Sequence, residues 1–569
     1  MNRKTIPFIA VVALAAWAVF ASCTDNDYDL SDVDTNARFT VKDLVIPVNL
    51  DDIQLDPVLD LNDDSKIKKN GDEYAVIEEG EFSSDPIMVH QFTTNGDHFE
   101  SSKGITLQTI APVGKRAPGD GKLAFAPIPS NATYIRTSAN NIDKSIITVD
   151  RIGTDMDINI SLQFGGLTNY IDQIAIEGLV IQYLTGLEMT PSIGTYDPES
   201  GLLTIGDTQT TTDHKFEIGL HITGIDREQA GVIFENSYFS IDKEVYVKSG
   251  ELALYADQIK PGIIALPTEE INYTLSADIG ACKVTTFTGV IQYNITDINI
   301  DPIDMSDIPE VLSQEGTDIV LQNPQIYLNV NNPLYNQYQV FAQTGLSLKG
   351  NATYSIANDA VKLDQPIKSF VLAPDVQNVK YKVFEGLNVE GVTFSDLGKV
   401  LSGGKFPNQI EIELLSPMIP QQQVTNFDLG DAIPAVKGKW QLYAPLNLAE
   451  SSIIKYTKKW DDWQDDDLDG LTVENAVVTA SMSSDVPLAL DVTFTLLGRE
   501  GKLSGSTKLS ANANDEKIEI PLTGTAVSKI YGLEIDAKIK GSGKSISPSQ
   551  KVTVKNLKAK VNGHYDKEL

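Results

Sequence analysis

The chain has 569 residues, of which 45 are basic and 78 acidic, a net charge of −33. That excess repels phosphate backbones and excludes nucleic acid as a natural partner. With 41% apolar residues, a chain this long can bury several cores, and its length predicts three or four domains.

Arg3 and Lys4 precede an uncharged, largely apolar run from Ile6 to Ala21. The run is shorter than the roughly 20 residues a membrane span needs, and it has the form of a secretory signal. It ends in Phe20-Ala21-Ser22-Cys23, which resembles the lipobox of bacterial lipoproteins, with Phe20 where Leu is usual. The resemblance implies that residues 1–22 are removed, that Cys23 carries palmitate-like acyl chains on sulfur, and that the new amino terminus is acylated. At about 0.8 kcal/mol per buried CH₂, several such chains would hold the protein on a membrane permanently.

Behind Cys23, the stretch from Thr24 to Asp34 contains Asp25, Asp27, Asp29, Asp32 and Asp34 and no Lys or Arg. Its composition cannot bury a core and reads as an extended tether over residues 23–38. It also resembles the surface-export signal of Bacteroidetes-type lipoproteins, which implies the outer membrane and its outward face, the periplasmic-facing leaflet being the alternative. Loss of Arg3 and Lys4 leaves 43 basic against 78 acidic residues, a net charge of −35. If Cys23 is lipidated, the only other cysteine, Cys282, has no disulfide partner. It lies in a strand-like run and reads as a small buried hydrophobe.

Beyond the tether the dominant pattern has a period of two. Met156, Ile158, Ile160, Leu162 and Phe164 alternate with Asp155, Asp157, Asn159, Ser161 and Gln163, which puts the apolar set on one face of a strand and the polar set in water. The same period recurs at Phe216-Ile218-Leu220-Ile222, Ile291-Tyr293-Ile295, Ile326-Leu328-Val330 and Ile410-Ile412-Leu414. Half-buried antiparallel strands explain it, since parallel strands read as continuous apolar runs. Parity slips between Val552, Val554 and Leu557, Ala559, Val561, predicting a bulge near Asn556. The fold class is therefore all-β, with tandem antiparallel β-sandwich-like modules and a few short connector helices.

Two such helices are predicted. Asp307 to Leu312 has the spacing of a capping box from Asp307 to Glu310 and a stop at Gly316, and Ser395 to Leu401 has a similar start before Gly403-Gly404. They share the pattern Ser-Asp, then Val-Leu-Ser, at residues 306–313 and 395–402. This reads as an internal repeat of a connector helix followed by a strand. The expected segments are 1–22, 23–38, 39–145, 146–300, 301–460 and 461–569.

Chemistry-bearing patterns are sparse. Asp465, Asp467, Asp469 and Gly470 reproduce the opening of a calcium loop, but position twelve falls on Ala476 where a bidentate Glu is needed, and a solvated acidic turn has the same composition. Trp440, Trp460 and Trp463 cluster with Tyr443 and Tyr456. Exposed, they would form a carbohydrate platform. Alternatively, Trp460, Trp463 and Leu468 pack along one face of a short helix.

Of the scattered histidines, His214 and His221 point to opposite faces of a strand and cannot share a metal there. Gly541-Ser542-Gly543-Lys544-Ser545 lacks the first glycine of a phosphate-binding loop and reads as a hairpin loop. No nucleophile elbow is present. The sequence thus points away from an enzyme, with no cofactor unless calcium binds. It describes an outer-membrane-anchored binding or structural module whose function is carried by loops. The alternatives are a carbohydrate-binding component of a glycan-uptake system and an adhesin or pilus-type subunit assembled by strand addition. Its partners would be the membrane, through the lipid, and a polysaccharide or surface protein.

Overall fold

The computed structural model describes residues 36–47, 53–54, 59, 61, 65–111, 113, 121–206, 208–296, 298–380, 388–401, 403–460, 471–498, 501–510, 516–520, 525–526 and 532–568. About 60% of the described residues are strand, and nearly every pairing among them is antiparallel. The exception is the parallel pair Ile367–Ala373 with Val389–Thr393. An all-β fold follows, with five sheets of eleven, nine, seven, six and four strands among the described residues. No helix among the described residues is long and apolar enough to cross a membrane.

The eleven-stranded sheet is built around the strand Ile146–Phe164, whose predicted alternation is realised: Met156, Ile158, Ile160, Leu162 and Phe164 are buried, while Asp155, Asp157 and Gln163 are exposed. On one side it pairs with Lys215–Asp226. On the other it pairs first with Lys283–Asn294 and then with Ile271–Ile279. Gly280 sits at the handover between these two partners. A Cβ there would lie 2.7 Å from the Asp157 carbonyl oxygen, and the Gly280 N–H donates to that oxygen at 2.8 Å. Only glycine permits so close an approach without displacing the backbone.

Contacts tie this sheet to two others. Phe92 meets Phe239 of the nine-stranded sheet with ring centroids 5.5 Å apart. An apolar cleft lies against the seven-stranded sheet, where Phe82, Leu328 and Trp440 face Leu346, Ile412 and Leu414. Its free space is about 50 Å³, room for a water or two but not for an organic ligand.

The sheets run across the expected segments. Glu73–Ser83 pairs along its length with Lys437–Pro445, and Asn36–Pro47 pairs with the last strand, Lys551–Glu568. That last strand carries the predicted irregularity. Ser481 faces Lys555 and Thr479 faces Lys558, so Ala480 alone stands opposite Asn556 and Leu557, a bulge where the parity slips.

Three local expectations are corrected. The first connector helix spans Glu310–Ser313 with Pro309 as its cap at φ −49° and ψ 140°, and no side chain caps it. Proline forces the residue before it away from helical angles, so Asp307 stands too early to act. The second helix spans Leu397–Val400, and Asp396 takes Lys399 as a partner at 2.6 Å in place of a backbone N–H. After the second helix comes the long strand Gln409–Asp428, whereas the stretch after the first makes only isolated bridges, Asp318 to Ile453 and Leu321 to Leu448.

The third correction concerns the strand Gln325–Asn331, which is buried on both faces, not one, over Gln325 to Leu328. Tyr327 joins Ala75, Val371 and Tyr443 in a small second core on the far side of the seven-stranded sheet. Its polar rim is satisfied, with Tyr443 and Lys380 both bonded to the Glu73 carboxylate.

Cys282 is fully buried, 3.0 Å from the Thr154 hydroxyl, and burial pushes its thiol up to about 11. Because the thiolate is the reactive form, a chain carrying Cys23→Ser should show no thiol reaction with a disulfide reagent at pH 8 when native, and a full equivalent in denaturant. Rapid reaction of the native chain would contradict this burial.

Candidate functional site

Four neighbouring strands of the eleven-stranded sheet, Lys215–Asp226, Ile146–Phe164, Ile271–Ile279 and Asp97–Ile105, send their apolar side chains inward and leave a polar outer face. Because cross-strand partners on one face stand about 5 Å apart, the register assigns the neighbours. In one row Thr190, His221 and Asp157 are consecutive. In the next, Gly219, Asn159, Asp278 and His98 are consecutive. The row beyond runs Glu217, Ser161, Ser276 and Glu100, with the two serine hydroxyls 2.7 Å apart.

The missing side chain at Gly219 opens a groove in this face. Its volume is about 530 Å³, and it is lined by Asp157, Asn159, Thr190, Pro191, Ser192, Gly219, His221 and Asp278 together with Ile158 and Leu220. Ser192 closes one wall, since its Oγ accepts the Gly219 N–H at 2.9 Å and its own N–H donates to the Gly219 carbonyl at 2.7 Å. A Cβ at Gly219 would meet only Ser192, at 3.6 and 3.7 Å. Glycine is therefore not required here by the backbone; its effect is to leave space.

Two imidazole–carboxylate pairs flank that space. His221 Nδ1 lies 2.9 Å from Asp157, with Asp155 at 3.9 Å. His98 Nδ1 lies 2.5 Å from Asp278, and its Nε2 is 3.9 Å from Glu100. With a carboxylate accepting at Nδ1, each ring turns Nε2 away from its partner strand. The hydrogen bond to Asp278 pushes His98 above its ordinary value, helped by the charges of Asp278 and Glu100. Among the described residues no three His, Cys, Asp or Glu side chains converge as metal ligands.

The residues singled out from the sequence lie elsewhere. Trp440 is buried in the strand Lys437–Pro445, with its indole against Gly80, where a Cβ would lie 2.5 Å from the ring. A ring enclosed in this way has no face free for a sugar. Trp460 ends the strand Ile453–Trp460 opposite Leu533, in place of the expected helix. Trp463, Asp465, Asp467, Asp469 and Cys23 lie outside the described residues. Lys459, next to that stretch, pairs with Glu534 at 3.0 Å, a buried carboxylate that Lys502 also bonds and holds below the ordinary carboxylate range.

Gly541 to Ser545 forms the loop after Gly532–Lys540, and its N–H groups are spent on protein carbonyls: Gly541 donates to Ser452 and Gly543 to Leu448, at 3.1 and 2.8 Å. His214 does not share the expected strand with His221 but lies in the bend before Lys215–Asp226, at φ 55°; it is buried and held below its ordinary value by desolvation, while His221 is exposed.

The sequence reading passed over the groove. Asp157 and Asn159 appeared only as the wet half of an alternating strand, and His98, His221 and Asp278 are 180 residues apart at the extremes. Nothing but the strand register joins them.

No family model matches the chain, and no curated protein matches it. Two solved structures overlap it loosely. One is a crystal structure of a protein from Parabacteroides distasonis described, by inference, as secreted. It is 14% identical with a TM-score of 0.33, over 49% of this chain and 89% of that one. The other is PNGF-II, 10% identical with a TM-score of 0.11, over 82% of this chain and 99% of that one. Overlaps this loose carry no argument about function.

The raised His98 value has a sign that can be checked. A histidine whose folded value exceeds the unfolded one, about 6.5, contributes stability that is fully present below that pH and lost as pH rises through the folded value. An NMR titration should place His98 above about 6.5, and Asp278→Asn should lower it, with Glu100 still in place. A His98 value unmoved by Asp278→Asn would show that the pair does not form.

Proposed function

We propose that this chain is a lipoprotein anchored in the outer membrane and facing outward, acting as a non-catalytic binding or structural module. The observation that carries this reading is the succession Arg3-Lys4, the apolar run to Ala21, Phe20-Ala21-Ser22-Cys23 and the acidic tract that follows. A strand begins at Asn36, thirteen residues after Cys23, and pairs with the chain's last strand. Thirteen residues span at most about 45 Å at roughly 3.5 Å each, so lipid on Cys23 would keep the terminal sheet close to the membrane with the remaining sheets beyond it.

A non-catalytic role is supported by the chemistry of the groove. His221 in the groove and His98 beside it are paired with carboxylates, which is half of a base-activated nucleophile, but among the described residues neither imidazole is bonded to a serine, threonine or cysteine side chain. The polar outer face is suited to holding a ligand.

The test is metabolic labelling with palmitate in a bacterium that processes lipoproteins, followed by protease treatment of intact cells. The full-length chain should take up label, lose residues 1–22 and be cleaved from outside, while Cys23→Ser should be unlabelled and released from the membrane fraction. An unlabelled wild-type chain would overturn the anchor, and a labelled chain protected from external protease would overturn its outward orientation.

A further inference from the structure

We infer that the groove over Gly219 is a binding site for a neutral, polyhydroxylated ligand, a glycan segment. This rests on the reading of the protein as a binding module and supplies the ligand class for it. The inference starts from the charges. Asp157 and Asp278 are each engaged by an imidazole Nδ1, at 2.9 and 2.5 Å, so one oxygen of each carboxylate is already committed within the protein. Each keeps a second oxygen that can accept. No Lys or Arg lines the groove, so an anionic ligand would meet carboxylates without a fixed cation.

What remains is an interleaved array. Carboxylate oxygens accept, the Asn159 amide accepts and donates, and the His221 Nε2 does either according to protonation. The register places Asn159 beside Asp278 in one row and Asp157 beside His221 in the next. A hydroxyl both donates and accepts, so a ligand bearing several of them satisfies such an array without bringing charge. Pro191 and Gly219 also line the groove, and proline offers apolar surface suited to the C–H face of a sugar ring. Its volume of about 530 Å³ lies in the range of small-molecule sites, roughly 300–1,000 Å³.

An extended peptide is the poorer fit. Leu187–Pro191 borders the groove at a sheet edge, but it is five residues long and ends in proline, which has no N–H to offer an added strand.

Gly219 provides the decisive variant. A Cβ there meets only ordinary contacts, and the backbone is extended within Lys215–Asp226. Gly219→Val should therefore fill the groove with a residue that suits a strand better than glycine does; its melting temperature reads retention of the fold, and Gly219→Ala, whose Cβ meets only ordinary contacts, is the folded control. The experiment is calorimetric titration of the purified full chain with neutral gluco-, manno- and galacto-hexasaccharides, and with spermine and calcium as controls.

The expected result is saturable binding of at least one neutral hexasaccharide, abolished by Gly219→Val at unchanged melting temperature and weakened at least tenfold by Asp157→Asn. Binding that survives Gly219→Val, binding of spermine or calcium alone, or no binding to any probe overturns the inference. Binding is read in solution and palmitate labelling in cells. Failure here would discard the groove and leave the anchor standing, while failure of labelling would leave the groove untouched.

Discussion

The strand Ile146–Phe164 is the member on which the rest of the structure depends. It serves three partners at once, Lys215–Asp226 on one side and Lys283–Asn294 followed by Ile271–Ile279 on the other. A slip of one residue would turn its entire apolar face into water, so its alternation fixes the register of all three neighbours together. The outward partners follow as a consequence. Asp157 is set opposite His221, and Asn159 opposite Asp278, by the same ladder that buries Ile158 and Ile160. Gly280 completes the arrangement by letting one partner strand end and the next begin within hydrogen-bonding distance of Asp157. The groove is a product of the core's register, with Gly219 leaving the space.

This dependence also explains how a chain with so large a negative charge holds its sheets together. Acidic residues are matched locally with cations where they crowd: the half-buried Glu177 and Glu251 share Lys122, and the buried Glu534 lies between Lys459 and Lys502. Exposed ion pairs elsewhere on the surface contribute little each, and the apolar inner faces and the backbone ladders hold the sheets. Those ladders join distant parts of the chain. His98 belongs to a strand near the start of the folded region and Asp278 to one almost two hundred residues later, yet the two strands are paired along nine residues.

The sequence made the faces legible and the neighbours illegible. Period-two patterning located the strand with Met156 and Phe164 and the one with Phe216 and Ile222, and a parity slip located the bulge at Asn556, because burial acts on each strand by itself. Turn and cap chemistry was less readable. Asp307 has the right spacing for a cap, but Pro309 imposes an extended backbone between it and the helix. Whether Trp440 faces water or the core was open from the sequence, and it goes inward because Gly80 on the adjacent strand leaves room for its indole. The groove was beyond the sequence altogether. His98, Asn159, Gly219, His221 and Asp278 have no spacing in common, and which strand lies beside which is decided by packing of whole sheets. The segment limits near 145, 300 and 460 were drawn from local composition, which carries no information about a ladder between Glu73–Ser83 and Lys437–Pro445.

The central claim is that the sheets are shared across the chain, so that the face carrying the groove exists only in the intact fold. The most direct measurement is to produce residues 39–145 alone and follow denaturant unfolding by circular dichroism beside the full chain. The fragment holds Glu73–Ser83 without its partner Lys437–Pro445 and Asp97–Ile105 without its partner Ile271–Ile279. It should show no cooperative transition, while the full chain shows one. A sigmoidal unfolding curve for the isolated fragment would mean that it folds independently and would contradict the account.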